Sequence, residues 1–118
     1  MIFVSKNEKG EVAWKLIKDG RKTVTRRLKP VSEGKILAVQ PGRGKKAVGY
    51  IRVISCIPEA EWVFALKGLN IWNELVLLQE ANREGFDSWQ GLISWFNNQK
   101  TVVRLDDTFR IEFELVKQ

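Results

Sequence analysis

Residues 47–57 read AVGYIRVISCI, and this stretch decides the fold class of the chain. Valine, isoleucine and tyrosine dominate it, and these side chains favour the extended backbone of a β-strand. Pro58 follows directly and ends the strand, because proline cannot donate to a strand ladder. Gly49 inside the run predicts a bulge or a sharp bend of the kind found in small barrels. The stretch therefore predicts a long strand that bends.

Shorter strands are predicted on both sides of this stretch. Residues 35–40 form an apolar run between Gly34 and a Pro-Gly turn. Residues 109–116 alternate apolar and polar side chains, which is the pattern of a half-buried strand. The strands predicted outside residues 47–57 are residues 1–4, 23–28, 35–40 and 109–116.

Helices are predicted in the segments between these strands. The predicted helices are residues 11–19, 58–66, 71–82 and 88–98. Gly20 stops the first helix, since a left-handed residue is favoured at that position, and Asp87 or Ser88 caps the last one. The order of elements predicts an α+β fold, a small β-barrel with helices packed at its ends, as a single domain over residues 1–118.

The amino-acid composition excludes several kinds of catalytic and metal site. The chain has 118 residues with one cysteine and no histidine, so a disulfide framework, a cysteine zinc cluster and Ser-His-Asp or HExxH sites are excluded. We therefore expect no metal and no cofactor. The first residues form too short an apolar run for a signal peptide, and no stretch reaches membrane-spanning length. A cytoplasmic protein without a membrane partner is the expectation.

Charge is distributed unevenly along the chain. The formal net charge is +6. Residues 1–50 hold thirteen Lys or Arg against four Asp or Glu, a net of +9, whereas residues 51–118 hold seven against ten, a net of −3. This asymmetry predicts a cationic face, for which RNA or a nucleotide is the natural partner. A generic basic protein without such a partner is the alternative.

Residues 20–27 read GRKTVTRR and bring four cations and two hydroxyls into eight positions. Side chains alternate between the two faces of a strand. Thr25 and Arg27 are therefore expected on one face and Arg26 on the other, with Lys22 in the preceding turn. This octet is the candidate site.

The octet resembles the signature of the ASCH domains, the activating-signal-cointegrator homology family, whose usual pattern is G-x-K-x-x-E-x-R after the first helix. Gly20, Lys22 and Arg27 match that pattern, while Thr25 stands at the acidic position. A branch of bacterial amidohydrolases that act on acetylcytidine reads G-R-K-T-x-T-x-R, and the phage branch often reads G-R-K-T-x-T-R-R. The octet fits both versions.

A second element resembles the same family. Many ASCH domains carry an E-G-F-x-S-like element before a late helix, and Glu84, Gly85, Phe86 and Ser88 correspond to it. The resemblance covers essentially the whole chain. It implies a β-barrel similar to the RNA-binding PUA domains.

The resemblance and the residue chemistry together leave two functions open. Lys22 and Arg27 suit a phosphate or a base edge, and Glu84 can accept hydrogen bonds from an exocyclic amine, which favours a binding domain. The amidohydrolase branch implies Thr25 as nucleophile, Lys22 as its activator and Glu84 as a proton-handling or orienting carboxylate. That catalytic set needs no histidine and no metal. Ribonuclease activity is a related enzymatic option. A protein-interaction adaptor without a catalytic or ligand-binding site is the third alternative.

Further cations complete the candidate binding set. Residues 41–46 read PGRGKK, and they lack the strand-to-helix context of a phosphate-binding P-loop. The cations of this loop contact a nucleic-acid backbone in one interpretation and are simply solvated in the other. Arg21 and Arg26 are expected to act through general electrostatics. The candidate binding residues are Arg21, Lys22, Arg26, Arg27, Arg43 and Lys45.

Overall fold

A computed structural model describes residues 1–98 and 104–117 of the protein. In chain order its elements are α1 (Ala13–Lys18), β1 (Val24–Arg27), β2 (Ile36–Val39), β3 (Gly49–Pro58), α2 (Glu59–Gly68), α3 (Glu74–Glu84), α4 (Trp89–Asn97) and β4 (Phe109–Leu115), with a short 3-10 turn at Leu105–Asp107. The α+β class predicted from the sequence is confirmed. The helices span 6 to 11 residues, and in the described part of the chain none is long and apolar enough to cross a membrane.

The four strands form one antiparallel sheet in the order β1-β4-β3-β2. The long strand β3 lies at its centre beside β4. The pairing of these two strands shifts register between Val53 and Ser55, which leaves Ile54 as the extra residue. Gly49 pairs regularly with Val39, so the predicted bulge at Gly49 is wrong. The bulge falls at Ile54, whose side chain is 46% exposed and can leave the ladder without emptying the core.

The first residues do not form the predicted strand. Ile2 makes one isolated parallel bridge to Gln40, with Phe3 N donating to Gln40 O at 3.0 Å. On its other side, Ile2 O accepts from Arg27 Nη2 at 2.8 Å. This segment therefore lies between the two edge strands. Among the described residues no backbone ladder joins β1 to β2, so a closed PUA-like barrel stays a prediction.

Two apolar cores hold the helices in place. One packs α1 against the sheet and comprises Phe3, Ala13, Ile17, Val39, Ile51 and Phe113. The other packs α3 against α4 and comprises Ala81, Phe86, Leu92 and Phe96. Full burial of one such phenylalanine or isoleucine contributes about 1.5–3 kcal/mol. The second core fixes α4 beside the end of α3, which is where the candidate site lies.

The end of α3 is set by a close approach between backbone and side chain. Gly85 adopts a φ of 95° and ends the helix, with Phe86 N donating to Ala81 O at 2.9 Å. A Cβ at Gly85 would lie 2.9 Å from Leu16 Cδ1, so only glycine fits without movement. Glu84 is therefore held as the last helical residue. Ser88 then caps α4 by accepting from Gly91 N at 3.0 Å, as the sequence predicted.

Candidate functional site

One cavity of about 940 Å³ lies between β1, the segment of residues 1–5, the end of α3 and α4. Its polar wall carries Lys22, Thr25, Arg26, Arg27 and Glu84. Its apolar wall includes the rings of Phe86, Trp95 and Phe96. The structure thus brings both motifs of the sequence, which are about sixty positions apart, to a single cavity.

Lys22 is part of the polar wall and is 4% exposed. Its Nζ donates to Val24 O at 2.8 Å, to Glu84 O at 2.7 Å and to Glu84 Oε1 at 2.9 Å. Burial lowers the pKa of Lys22, and the neighbouring Glu84 carboxylate opposes that shift. An ammonium group has three donors, and all three are engaged here.

Thr25 lies on β1 beside this pair. Its Oγ1 accepts from Arg27 Nε at 3.3 Å, as expected for two residues on one face of a strand. Within residues 1–98 and 104–117, no hydrogen bond joins Lys22 Nζ to Thr25 Oγ1, because Nζ donates to the three oxygens above. The lysine and the hydroxyl share the cavity without forming a base–nucleophile hydrogen bond.

Arg26 points away from Thr25 into a fully buried ionic cluster. It forms ion pairs with Glu59, with Glu80 at 2.7 Å and with Glu84 at 2.9 Å. Its guanidinium also lies 5.0 Å from the centroid of the Trp62 ring. Burial alone would lower the pKa of Arg26, but these carboxylates raise it overall. The sequence expectation of general electrostatics therefore misses its specific role as a buried structural cation.

The cluster around Arg26 is electrically balanced. Arg110 on β4 donates to both oxygens of Glu80, at 2.5 and 3.0 Å. Burial would raise the pKa of Glu80, but Arg110 and Arg26 together lower it. The buried network comprises Lys22, Arg26, Arg110, Glu59, Glu80 and Glu84. Three cations thus face three carboxylates, and the network leaves no net charge for a ligand to neutralise.

Arg27 differs from these buried cations because it has no acidic partner among residues 1–98 and 104–117. Its Nη2 donates to Ile2 O at 2.8 Å, and its guanidinium lies 4.8 Å from the centroid of the Phe3 ring. It makes no ion pair with any described residue. Burial lowers the pKa of Arg27 and Glu84 opposes that shift, yet arginine stays protonated in proteins. Arg27 therefore gives the cavity wall an uncompensated positive charge.

The remaining candidates lie outside the cavity wall. Arg21 forms a bidentate pair with Glu11, at 2.7 and 3.2 Å, so its charge is already neutralised. Arg43 and Lys45 are exposed in the loop of residues 41–48. Sequence reasoning missed Lys29, which is exposed and lines the cavity. The signal for it was its position two residues after Arg27, just beyond the end of β1.

Comparisons with known proteins leave the family open. No family model, no curated protein and no solved structure matches this chain. The ASCH assignment therefore stays a prediction based on the two motifs. In the described part of the chain, no group of three or more cysteine or acidic side chains is placed to hold a metal ion.

Proposed function

We propose that the cavity binds a nucleotide unit, either a free nucleotide or one residue of an RNA. The observation that carries the proposal is Arg27, a partly buried cation on the cavity wall that has no carboxylate partner among the described residues. A ligand with a negative group and a flat ring complements both walls. Nucleotides are the common biological ligands with that combination.

The phosphate is placed at Arg27. A guanidinium presents a planar fork of donors that matches phosphate oxygens, and such charge-assisted bonds are stronger than neutral ones. Lys29 adds a second exposed cation at the same cavity. The backbone bond from Arg27 to Ile2 O fixes the orientation of the fork before the ligand arrives.

The base is placed against the aromatic wall. Trp95 is half-buried at the cavity, whereas Phe86 and Phe96 belong to the core between α3 and α4. Stacking of one base on an aromatic side chain contributes about 1–3 kcal/mol, and Trp95 is the ring proposed for that role. Thr25 Oγ1 lines the same cavity and can accept a hydrogen bond from an exocyclic amine. The Glu84 carboxylate also lines it, with its two oxygens already accepting from Lys22 and Arg26. The volume of about 940 Å³ falls within the range of about 300–1,000 Å³ common for small-molecule sites.

Calorimetric titration with nucleoside 5′-monophosphates and with the matching nucleosides tests this proposal. We expect the monophosphates to bind more tightly, and Arg27→Met to remove the difference while leaving the protein folded. Arg52→Met is the matched control, since Arg52 is exposed on β3 and forms an ion pair with the exposed Glu114. Equal affinity of wild type and Arg27→Met for the monophosphates would contradict the assignment of Arg27.

A second candidate function is hydrolysis of an amide on an acylated cytidine. The observation that favours it is the lowered pKa of the buried Lys22 at a cavity that also holds Thr25 and Glu84. A deprotonated Lys22 would take the proton of Thr25, whose oxygen would attack the acyl carbon. Lys22 would then give that proton to the cytidine amine as the C–N bond breaks, and water would hydrolyse the acyl-threonine ester to a carboxylic acid and free Thr25.

The three hydrogen bonds that Lys22 Nζ already donates weigh against this route. The test is deacetylation of acetylcytidine by the wild type, with Thr25→Val and Lys22→Met as controls. Turnover that both variants lose supports this function, and no turnover by the wild type contradicts it.

A further inference from the structure

The cavity and the loop of residues 41–48 are connected by a short run of contacts. Arg27 Nη2 donates to Ile2 O on the cavity wall. Ile2 in turn bridges to Gln40, whose Nε2 donates to Lys45 O at 3.5 Å. Paired strands lie about 4.8 Å apart. The loop therefore begins one strand width beyond the segment that forms the cavity wall.

The loop is strongly cationic and unneutralised. It carries Arg43, Lys45 and Lys46, all of them exposed. In the described part of the chain none of the three forms an ion pair. The sequence from residue 34 to residue 58 contains no Asp or Glu at all. These charges are thus free to attract an external polyanion.

We propose that the ligand is a single-stranded polynucleotide, with one nucleotide in the cavity and its neighbours along the loop of residues 41–48. Arg27 holds the phosphate at the cavity, and Arg43, Lys45 and Lys46 contact phosphates further along the strand. This inference rests on the proposed function. It adds the polymeric nature of the ligand and a second contact region.

A polynucleotide fits both regions better than another polyanion does. The cavity offers the half-buried ring of Trp95 for one base, and the loop offers point charges for a regularly charged backbone. An anionic lipid surface would use the loop but would leave the polar cavity wall unexplained. A base pair is held in a stack, so a duplex would present no free base to the cavity.

The test measures fluorescence anisotropy of labelled mono-, di-, tetra- and octanucleotides, as RNA and as DNA, over a range of salt concentrations. Octanucleotide duplexes and anionic vesicles are measured as competitors. The test variant is the triple substitution Arg43→Gln, Lys45→Gln and Lys46→Gln. The control with the same charge change is Lys18→Gln, Lys67→Gln and Lys117→Gln, at exposed positions outside the cavity and the loop. Arg27→Met reports on the cavity alone.

We expect affinity to rise with strand length for RNA, DNA or both, and the loop triple to abolish that rise without changing mononucleotide affinity. Each lost phosphate contact reduces the slope of log affinity against log salt by about 0.7 for a single strand, so the loop triple reduces it by about 2 relative to the control triple.

Three outcomes overturn the inference. They are equal affinity for mononucleotide and octanucleotide, equal effects of the loop triple and the control triple, and binding to duplexes or anionic vesicles that matches or exceeds binding to single strands. If mononucleotides also fail to bind, or bind equally well to Arg27→Met, the proposed function itself fails. Mononucleotide binding without a length effect removes only the polymeric ligand.

Discussion

Arg26 and Arg27 are adjacent on β1, and the surroundings of their guanidinium groups are opposite. Arg26 is buried among three carboxylates and two tryptophan rings. Arg27 is partly exposed on the cavity wall, bonded only to a hydroxyl and a backbone carbonyl in the described structure. Consecutive side chains of a strand point to opposite faces. This alternation places Arg26 among carboxylates and Arg27 at the cavity.

The difference shows how charge balance distinguishes structural cations from binding ones. The network around Arg26 contains equal numbers of cations and carboxylates, so adding an anion there would break existing pairs. At Arg27 an incoming anion gains an ion pair without breaking one. Neighbouring residues of one type can thus have separate roles, and variants at each should separate stability from binding.

The largest expected effect is on stability, from Arg26→Met. This change leaves three buried carboxylates facing only Lys22 and Arg110, and loss of one partner from a buried ionic cluster costs about 3–5 kcal/mol. Urea unfolding followed by tryptophan fluorescence measures it. Arg52→Met, which breaks an exposed pair, should cost less than about 1 kcal/mol. Similar midpoints for both variants would show that the buried network does not stabilise the fold.

The second effect concerns acid stability and Glu80. Because Arg110 and Arg26 lower its pKa below the ordinary 4.5, its ionised form stabilises the fold above about that pH. That stability is lost as the pH falls through the folded-state pKa. Glu80→Gln should therefore lose stability at neutral pH and show a flatter dependence below pH 4.5. Glu114→Gln is the exposed control, and an unchanged acid slope in Glu80→Gln would contradict the assignment.

The third effect is on binding, from Arg27→Met. The variant removes the charge and its contact with the Phe3 ring but keeps most of the aliphatic stem, so its stability should change by less than about 1 kcal/mol. Its affinity for a nucleoside monophosphate should fall by about ten- to a hundredfold, the range for one charged hydrogen bond. Destabilisation as large as that of Arg26→Met would remove the contrast between the two arginines.

The smallest effect is expected at Arg21. Its pair with Glu11 is exposed, and hydrogen bonds from Arg21 lower the pKa of Glu11 to about 2. Arg21→Gln should return the Glu11 pKa toward 4.5, as measured by NMR titration, and leave nucleotide affinity unchanged. A loss of affinity would show that Arg21 reaches the ligand after all.

The sequence predicted the regular elements well because their signals are local. All four helices and the four strands of the sheet follow from periodicity, caps and β-branched runs. The predicted strand at residues 1–4 is wrong, because this segment forms one isolated bridge, between Ile2 and Gln40, instead of a continuous ladder. The bulge moved from Gly49 to Ile54 because register depends on the partner strand, which local sequence does not encode.

The site was predictable only in part. The motifs quoted for the ASCH resemblance named Lys22, Thr25, Arg27 and Glu84, and the structure places all four at one cavity. The ionic partners of Arg26 could not be predicted from the sequence. Glu59 begins α2 and Glu80 lies within α3, and glutamates at such helix positions are usually exposed to solvent. Only the packing of α2 against β3 and β4, and of α3 against β1, turns them inward.

The contrast between the two arginines can be observed directly by NMR. The Nε–Hε signals of Arg26 and Arg27, assigned from the Arg27→Met spectrum, would be followed during titration with a nucleoside monophosphate. We predict that the Arg27 signal shifts in a saturable way while the Arg26 signal, locked to Glu59, stays in place. A saturating titration that leaves the Arg27 signal unmoved, or no saturation with any monophosphate, would contradict the claim that the cavity binds a nucleotide through this guanidinium.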